Sequence, residues 1–182
     1  MENKGPYTDA FRHASDSLIL VEGGKTKDHA GWTNWGITLR SLRETGDLSF
    51  DMDRNGILDK QDLWLLPREK AVLYIHNYWW SLHGLHRLHD EQLASKVLDV
   101  FYNMGPRTGT KLLQRAANAC GRSLRVDGGF GPLTVASVNA TEPTVLLDAL
   151  RKQQRAFYLM LIRRNPSRFR KFRKGWLRRA AL

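Results

Sequence analysis

Cysteine and long apolar segments are nearly absent from this sequence. Cys120 is the only cysteine among 182 residues, so no disulfide can form within the chain. It lies among alanines in a helical pattern, which favours a small core residue over a nucleophile. No apolar run approaches the roughly 18 residues of a membrane-spanning helix, and the first six residues lack the apolar segment of a signal peptide. We therefore expect a chain made in the cytoplasm, with no membrane span.

Acidic residues are absent from the C-terminal part of the sequence. Residues 151–182 contain twelve lysines and arginines and no aspartate or glutamate, and the whole chain has a net charge of +11. Such a stretch attracts polyanions, which include nucleic acid, anionic membranes and the acidic polymers of a bacterial wall. No helix-turn-helix, zinc-finger or RNA-binding pattern supports nucleic acid as the partner. A solvated helix face, with arginine stems covering the core, is the other interpretation.

Most of the apolar residues recur at helical spacing, so we predict a mainly α fold with a small hairpin or loop region. Thr8 and Asp9 can cap a first helix, and a long helix is predicted from Pro143 to just before Pro166. The glycine- and tryptophan-rich residues 22–38 predict a turn or short hairpin. We expect a catalytic lobe over residues 1–89 and a helical lobe over residues 90–182, packed as one compact unit.

The candidate catalytic site begins at Glu22, which ends the first apolar helical run and precedes two glycines. A carboxylic acid near tryptophans can stay protonated near neutral pH, as a general acid must. Thr33 follows eleven residues later, between Trp32 and Trp35. The other interpretation is an exposed glutamate before a turn.

Residues 51–62 fit the twelve-residue calcium loop of the EF hand. Oxygen-bearing side chains occupy the ligand positions, and Gly56 stands where the loop must turn sharply. The predicted ligands are Asp51, Asp53, Asn55, Ile57 through its carbonyl, Asp59 and Asp62. Asp62 replaces the usual bidentate glutamate, and in this the loop resembles dockerin-type loops. We expect a structural calcium ion without a catalytic role; a metal-free turn is the alternative.

Several motifs, in order along the chain, resemble glycoside hydrolase family 108, the phage and bacterial N-acetylmuramidases. Glu22-Gly23-Gly24 followed by residues 31–38 resembles the N-terminal signature of that family. Residues 126–134 and the tail resemble its C-terminal peptidoglycan-binding segment. The sequence departs from the family at Lys25 and Trp35, where tyrosine is usual, and at residues 29–30, where Pro-Gly is common.

The resemblance implies a lysozyme-like helical fold and cleavage of the β-1,4 bond between N-acetylmuramic acid and N-acetylglucosamine. Glu22 falls on the catalytic glutamate of the family, and Asp28 and Thr33, by analogy with phage-type lysozymes, would hold the attacking water. Further candidates could bind the sugar; the alternative is a core position for the tryptophans and an ordinary place near a helix end for the asparagine. These candidates are Trp32, Trp35, Tyr102 and Asn103.

The expected partner is bacterial peptidoglycan, bound by a monomer, with no nucleic acid and no membrane span. A chain without a signal peptide would act in the periplasm or on the wall only after release by a holin or other export machinery. Two further functions stay open at this point. A lytic transglycosylase uses one acid/base group and no water, and a non-catalytic wall-binding protein releases no fragments. Endolysin, secretion and wall-remodelling settings are not distinguished.

Overall fold

The computed structural model describes residues 7–28 and 31–182, and for Asp28 only the backbone. The described chain is mainly helical with three short strands, which confirms the predicted fold class. The principal elements are α1 (Asp9–Glu22), β1 (Thr26–Asp28), β2 (Gly31–Asn34), β3 (Ile37–Thr38), α2 (Leu39–Thr45), α3 (Lys60–Leu65), α4 (Arg68–Ile75), α5 (Glu91–Met104), α6 (Pro106–Ala119), α7 (Pro132–Asn139), α8 (Pro143–Arg164), α9 (Pro166–Phe169) and α10 (Arg173–Ala181). A π-helical turn (His76–Ser81) follows α4, and 3₁₀ turns lie at Leu48–Phe50, Leu85–Arg87 and Arg170–Phe172.

The chain forms two compact units. One unit is residues 15–78, and the other is residues 79–182 with the described residues up to Ala14. The functional lobes 1–89 and 90–182 remain a prediction. Within the described ranges, no helix has the length and apolar character needed to cross a bilayer.

A small antiparallel sheet, in the order β1-β2-β3, lies in the 15–78 unit. Thr33 of β2 is opposite Thr26 of β1 and opposite Thr38 of β3. Trp35 and Gly36 connect β2 to β3 with φ angles of 53° and 75°. A two-residue hairpin turn of type I′ requires positive φ at both central residues. The predicted turn or short hairpin is therefore present as a three-stranded sheet.

This hairpin is held against the carboxyl end of α3. The Asn34 side-chain amide donates to the carbonyl oxygens of Leu63 (2.9 Å) and Leu66 (3.2 Å), and Trp35 Nε1 donates to the same Leu66 oxygen at 3.0 Å. The last carbonyls of a helix have no partners within the helix. Asn34 and Trp35 supply those partners from the hairpin, so the position of β2 depends on where α3 ends.

The other unit is built from α5, α6 and α8, and α10 packs on α8. Buried Lys96 of α5 donates from Nζ to the Arg179 carbonyl at 2.9 Å, and Arg179 Nε donates to Asp99 Oδ1 at 2.8 Å. These bonds fasten α10 to α5. Cys120 is half-buried at the end of α6 and is not a core residue, because the helix stops there and the chain turns at Gly121, where φ is 87°.

Gly109 allows α6 to approach α5 closely. A Cβ at Gly109 would lie 2.6 Å from Cδ1 of Phe101, which is fully buried and cannot move aside freely. Replacing a helical glycine by alanine gains up to about 1 kcal/mol in helix propensity. Overpacking a core costs about 1–3 kcal/mol. We expect Gly109→Ala to lower the free energy of unfolding in urea by about 1 kcal/mol, because the second effect is larger.

Gly175→Ala is the matched control, since Gly175 lies in α10 and an added Cβ meets nothing within 4 Å. It should raise the free energy of unfolding by about 0.5–1 kcal/mol. Equal effects of the two substitutions would contradict the close packing of α5 and α6.

Candidate active site

Glu22 is the last residue of α1, and its side chain is half-buried. Leu18 and Ile19 fix the last turn of the helix in the core, at 2% and 5% exposure. Gly23 ends the helix: its φ is 70°, and its amide donates to the Ile19 carbonyl at 3.1 Å. Glycine adopts this left-handed conformation without steric cost. The sequence thus places a half-buried carboxyl group at a well-defined helix end.

Thr33 lies in the centre of the sheet. It is half-buried, and its hydroxyl has no hydrogen-bond partner among the residues that the structure describes. Residues directly opposite each other in adjacent strands share a face of the sheet, so Thr26, Thr33 and Thr38 form a row. The backbone of Asp28 pairs with Gly31, whereas its side chain lies outside the described residues, so its role remains a prediction.

Trp32 points to the opposite face of β2 from Thr33, because successive strand residues alternate. Its ring meets that of Trp64 edge to face, with the centroids 5.4 Å apart. Lys27 Nζ lies 4.8 Å from the Trp32 centroid, and Lys25 Nζ lies 5.0 Å from that of Trp64. Sequence reasoning did not identify Trp64, whose helical spacing gives no sign of a contact with the hairpin.

Trp35 is half-buried and is held in the hairpin turn by its bond to the Leu66 carbonyl. The indole nitrogen is therefore used within the protein. A substrate contact by Trp35 would involve the ring surface, and it remains a prediction.

Tyr102 and Asn103 lie at the end of α5, in the 79–182 unit. The Tyr102 ring packs against that of Trp79, with the centroids 4.8 Å apart. Asn103 is exposed, and its Oδ1 accepts a hydrogen bond from the Tyr158 hydroxyl at 2.7 Å. Tyr158 is fully buried and in turn accepts from Gln154 Nε2 at 3.3 Å. The sequence did not indicate Tyr158, because its helical spacing is that of an ordinary core residue.

The predicted calcium loop brings three carboxylates together. One oxygen each from Asp51, Asp53 and Asp62 lies within 4.8 Å of the other two. Calcium binds oxygens at about 2.3–2.6 Å, so two ligands on opposite sides of the ion are about 4.6–5.2 Å apart. The three oxygens are therefore close enough to share one ion. Gly56 has a φ of 83°, as expected at the sharp turn.

Several of the predicted ligands also accept hydrogen bonds from backbone amides of the loop. Asn55 Oδ1 accepts from the Ile57 amide at 2.8 Å, and Asp59 caps α3. Buried Asp62 accepts from the amides of Met52 (2.6 Å) and Asp59 (2.8 Å). A carboxylate has about four acceptor positions, so these bonds leave room for a cation.

The loop carboxylates also affect one another electrostatically. Desolvation, together with the negative charges of Asp62 and Asp51, raises the pKa of Asp53. Desolvation acts in the same direction on Asp51, but hydrogen bonds from the amides of Gly56, Asn55 and Arg54 outweigh it and lower the pKa of Asp51. Like charges held this close repel each other unless a cation lies between them.

Comparison with known families finds two matches. Residues 16–105 match the model described as glycosyl hydrolase 108, and residues 108–181 match the model described as predicted peptidoglycan domain. The first match includes Glu22, the sheet and the predicted calcium loop. The second includes most of α6 and all of α7, α8, α9 and α10.

Comparison with solved structures finds SagA of Brucella abortus, with a TM-score of 0.71 and 24% sequence identity. The similarity covers 94% of this chain and 89% of that one, and it supports the fold. No curated protein sequence matches the chain.

These matches confirm the resemblance that the motifs indicated. Family 108 comprises peptidoglycan hydrolases of the N-acetylmuramidase type, so the chain is a glycoside hydrolase whose substrate is peptidoglycan. The chain belongs to glycosyl hydrolase family 108 and carries a peptidoglycan domain after the part that matches the hydrolase model.

Proposed function

We propose that Glu22 is the general acid of this N-acetylmuramidase. It would protonate the oxygen of the β-1,4 bond that links N-acetylmuramic acid to N-acetylglucosamine, and the bond would break through an oxocarbenium-like transition state. The observation that carries the proposal is the half-buried Glu22 carboxyl at the glycine-capped end of α1, within the residues that match the hydrolase family.

The attacking water would be held on the threonine face of the sheet. The Thr33 hydroxyl can both donate to and accept from water, and in the described part of the chain no other group uses it. Asp28 would orient the same water as a hydrogen-bond acceptor. A direct attack of this kind yields a reducing sugar end, whereas a transglycosylase forms an internal anhydro ring without water.

Glu22→Gln should reduce the release of soluble fragments from purified sacculi by about 10²–10⁴-fold, the usual contribution of a general acid. The amide has the shape of the acid but cannot donate the required proton. Glu69→Gln, an exposed residue of α4 in the same unit, is the matched control and should keep wild-type activity.

Circular dichroism establishes that both variants fold, and mass spectrometry identifies the products. Undiminished fragment release by Glu22→Gln would exclude Glu22 as the acid. Anhydro-sugar products from the wild type would identify the transglycosylase reaction, and sacculus binding without any release would identify a binding protein.

Residues 51–62, in our proposal, hold a structural calcium ion. Asp51, Asp53 and Asp62 would supply charged oxygens, with further oxygens from Asn55, Asp59 and the Ile57 carbonyl. The clustering of three carboxylate oxygens within 4.8 Å supports this role. The bound ion would supply positive charge that offsets the repulsion among the carboxylates.

Asp53→Asn should lower the melting temperature when calcium is present and should not lower it when calcium is absent. In the presence of a chelator the variant should melt at the same temperature as the wild type or higher, because one of three crowded charges is removed. In excess calcium the variant should melt at a lower temperature than the wild type, because the ion loses a charged ligand. The thermal midpoints measured by differential scanning fluorimetry check both signs, with Glu69→Gln as the control. A wild-type midpoint that calcium leaves unchanged would contradict the site.

Asn103 is proposed to bind an acetamido group of the sugar, with Tyr158 as its positioning residue. The Tyr158 hydroxyl donates to Asn103 Oδ1, so the Asn103 amide nitrogen is left to donate to a ligand carbonyl. The surrounding contacts fix Tyr158 itself: its ring stacks on Trp176, with the centroids 4.8 Å apart.

Asn103→Ala should raise KM several-fold, about 1 kcal/mol for one hydrogen bond, and leave kcat nearly unchanged. Tyr158→Phe keeps the stacked ring and should raise KM in the same way, but it should add nothing to the KM of the Asn103→Ala variant. A structural role of Tyr158 alone would lower the melting temperature and leave KM unchanged. Additive effects on KM would contradict action through Asn103.

A further inference from the structure

A pocket of about 460 Å³ lies beside β2 and α2 in the 15–78 unit. It is lined by Gly31, Trp32, Leu39, Arg40, Arg43 and Glu44. Small-molecule sites in proteins have volumes of about 300–1,000 Å³, so this one has room for a sugar substituent or a short peptide segment.

The pocket is separate from the threonine face of the sheet. Trp32 lines it, and Trp32 and Thr33 are successive strand residues that point to opposite faces. A ligand in the pocket would therefore lie on the other face of β2 from the water that Thr33 is proposed to hold.

The charge of the pocket comes mainly from one unpaired arginine. Arg40 Nε forms an ion pair with Glu44 Oε1 at 2.8 Å, so these two charges largely offset each other. Arg43 Nε donates to the Leu58 carbonyl at 2.8 Å. No carboxylate pairs with Arg43 anywhere in residues 7–28 or 31–182 as described, and its two terminal nitrogens have no hydrogen-bond partner there.

A guanidinium group fixed in this way is suited to a carboxylate. Its terminal nitrogens present a planar fork that binds two carboxylate oxygens at once, and the bond to Leu58 holds the fork in place before a ligand arrives. Trp32 and Leu39 add an apolar wall, and Lys27 over the Trp32 ring adds a second positive charge nearby.

We propose that this pocket binds a carboxylate-bearing substituent of peptidoglycan, away from the bond that is cut. Arg43 binds the carboxylate, and Trp32 and Leu39 contact the carbon chain or ring that carries it. The inference rests on the proposed function only in that peptidoglycan is the substrate. Two sources supply such a group: the stem peptide, and the lactyl group of muramic acid once the peptide has been removed.

The test compares Arg43→Gln with Arg68→Gln, since both remove one positive charge from the 15–78 unit and Arg68, in α4, does not line the pocket. KM and kcat are measured on solubilised peptidoglycan strands. We expect Arg43→Gln to raise KM about tenfold, the loss of one charged hydrogen-bonded contact, with kcat unchanged. Arg68→Gln should change KM by less than about twofold, because Arg68 lies outside the pocket lining and is paired with Asp16 on the surface.

Arg43→Lys is the control for loss of the folded structure. It keeps the charge without the fork, so its KM should lie between those of the wild type and Arg43→Gln. Strands treated with an amidase, which carry free lactyl carboxylates and no peptide, distinguish the two sources. An effect of Arg43→Gln on untreated strands that disappears on treated strands identifies the stem peptide as the ligand. An effect confined to treated strands identifies the lactyl group, because the lactyl carboxyl is an amide until the peptide is removed.

An unchanged KM for folded Arg43→Gln on both substrates overturns the proposal, and so does an equal effect of Arg68→Gln. The test of Glu22 as the general acid is independent of this test of Arg43. An active Glu22→Gln variant would remove the acid from the mechanism and leave the KM effect at Arg43 in place.

Discussion

The attachment of the hairpin to the carboxyl end of α3 is the contact on which the proposed catalytic face depends. Three hydrogen bonds from Asn34 and Trp35 end on the carbonyls of Leu63 and Leu66. Each net contribution is about 1 kcal/mol, but leaving a buried polar group unpaired costs about 1–3 kcal/mol. The hairpin therefore has one favourable position, and the end of α3 sets the position of Thr33 in β2.

The beginning of α3 is fixed by the acidic loop. Asp59 caps the helix, and Asp62, in its first turn, bonds back to the Asp59 amide while also accepting from the loop at Met52. The same loop presents the Leu58 carbonyl to Arg43. The acidic loop thus sets the position of α3 and, through α3, the position of β2. It also holds Arg43, the side chain that gives the pocket its unpaired charge. The calcium ion that we propose for this loop would therefore act by stabilising the structure.

The sequence allowed prediction of features that are encoded locally. The glycine-capped helix end at Glu22 and the turn at Gly56 follow from residue types within a few positions. Contacts between distant residues were not predictable in this way. Trp64 meets Trp32, and Tyr158 meets Asn103, across 32 and 55 positions, and neither Trp64 nor Tyr158 differs in spacing from an ordinary helical residue. The pocket at Arg43 was not predicted for the same reason. Only the folded structure shows that Arg43 bonds to the Leu58 carbonyl and has no carboxylate partner among the described residues.

The basic C-terminal part of the chain contains both arginines that stabilise the fold and exposed cations that can attract a polyanion. Arg179 is buried and tied to Asp99, so it holds α10 in place. Most of the remaining cations of α8 to α10 are exposed, and of those beyond Arg151 none forms an ion pair in the described chain. Exposed charges act over about a Debye length, about 8–10 Å at physiological ionic strength, and each single contact is weak. Such a surface favours residence near an anionic polymer without fixing one orientation on it. Selection of a particular point on the polymer requires groups that are held in place within the protein. We propose this role for Arg43, which bonds to the Leu58 carbonyl, and for Asn103, which bonds to the Tyr158 hydroxyl.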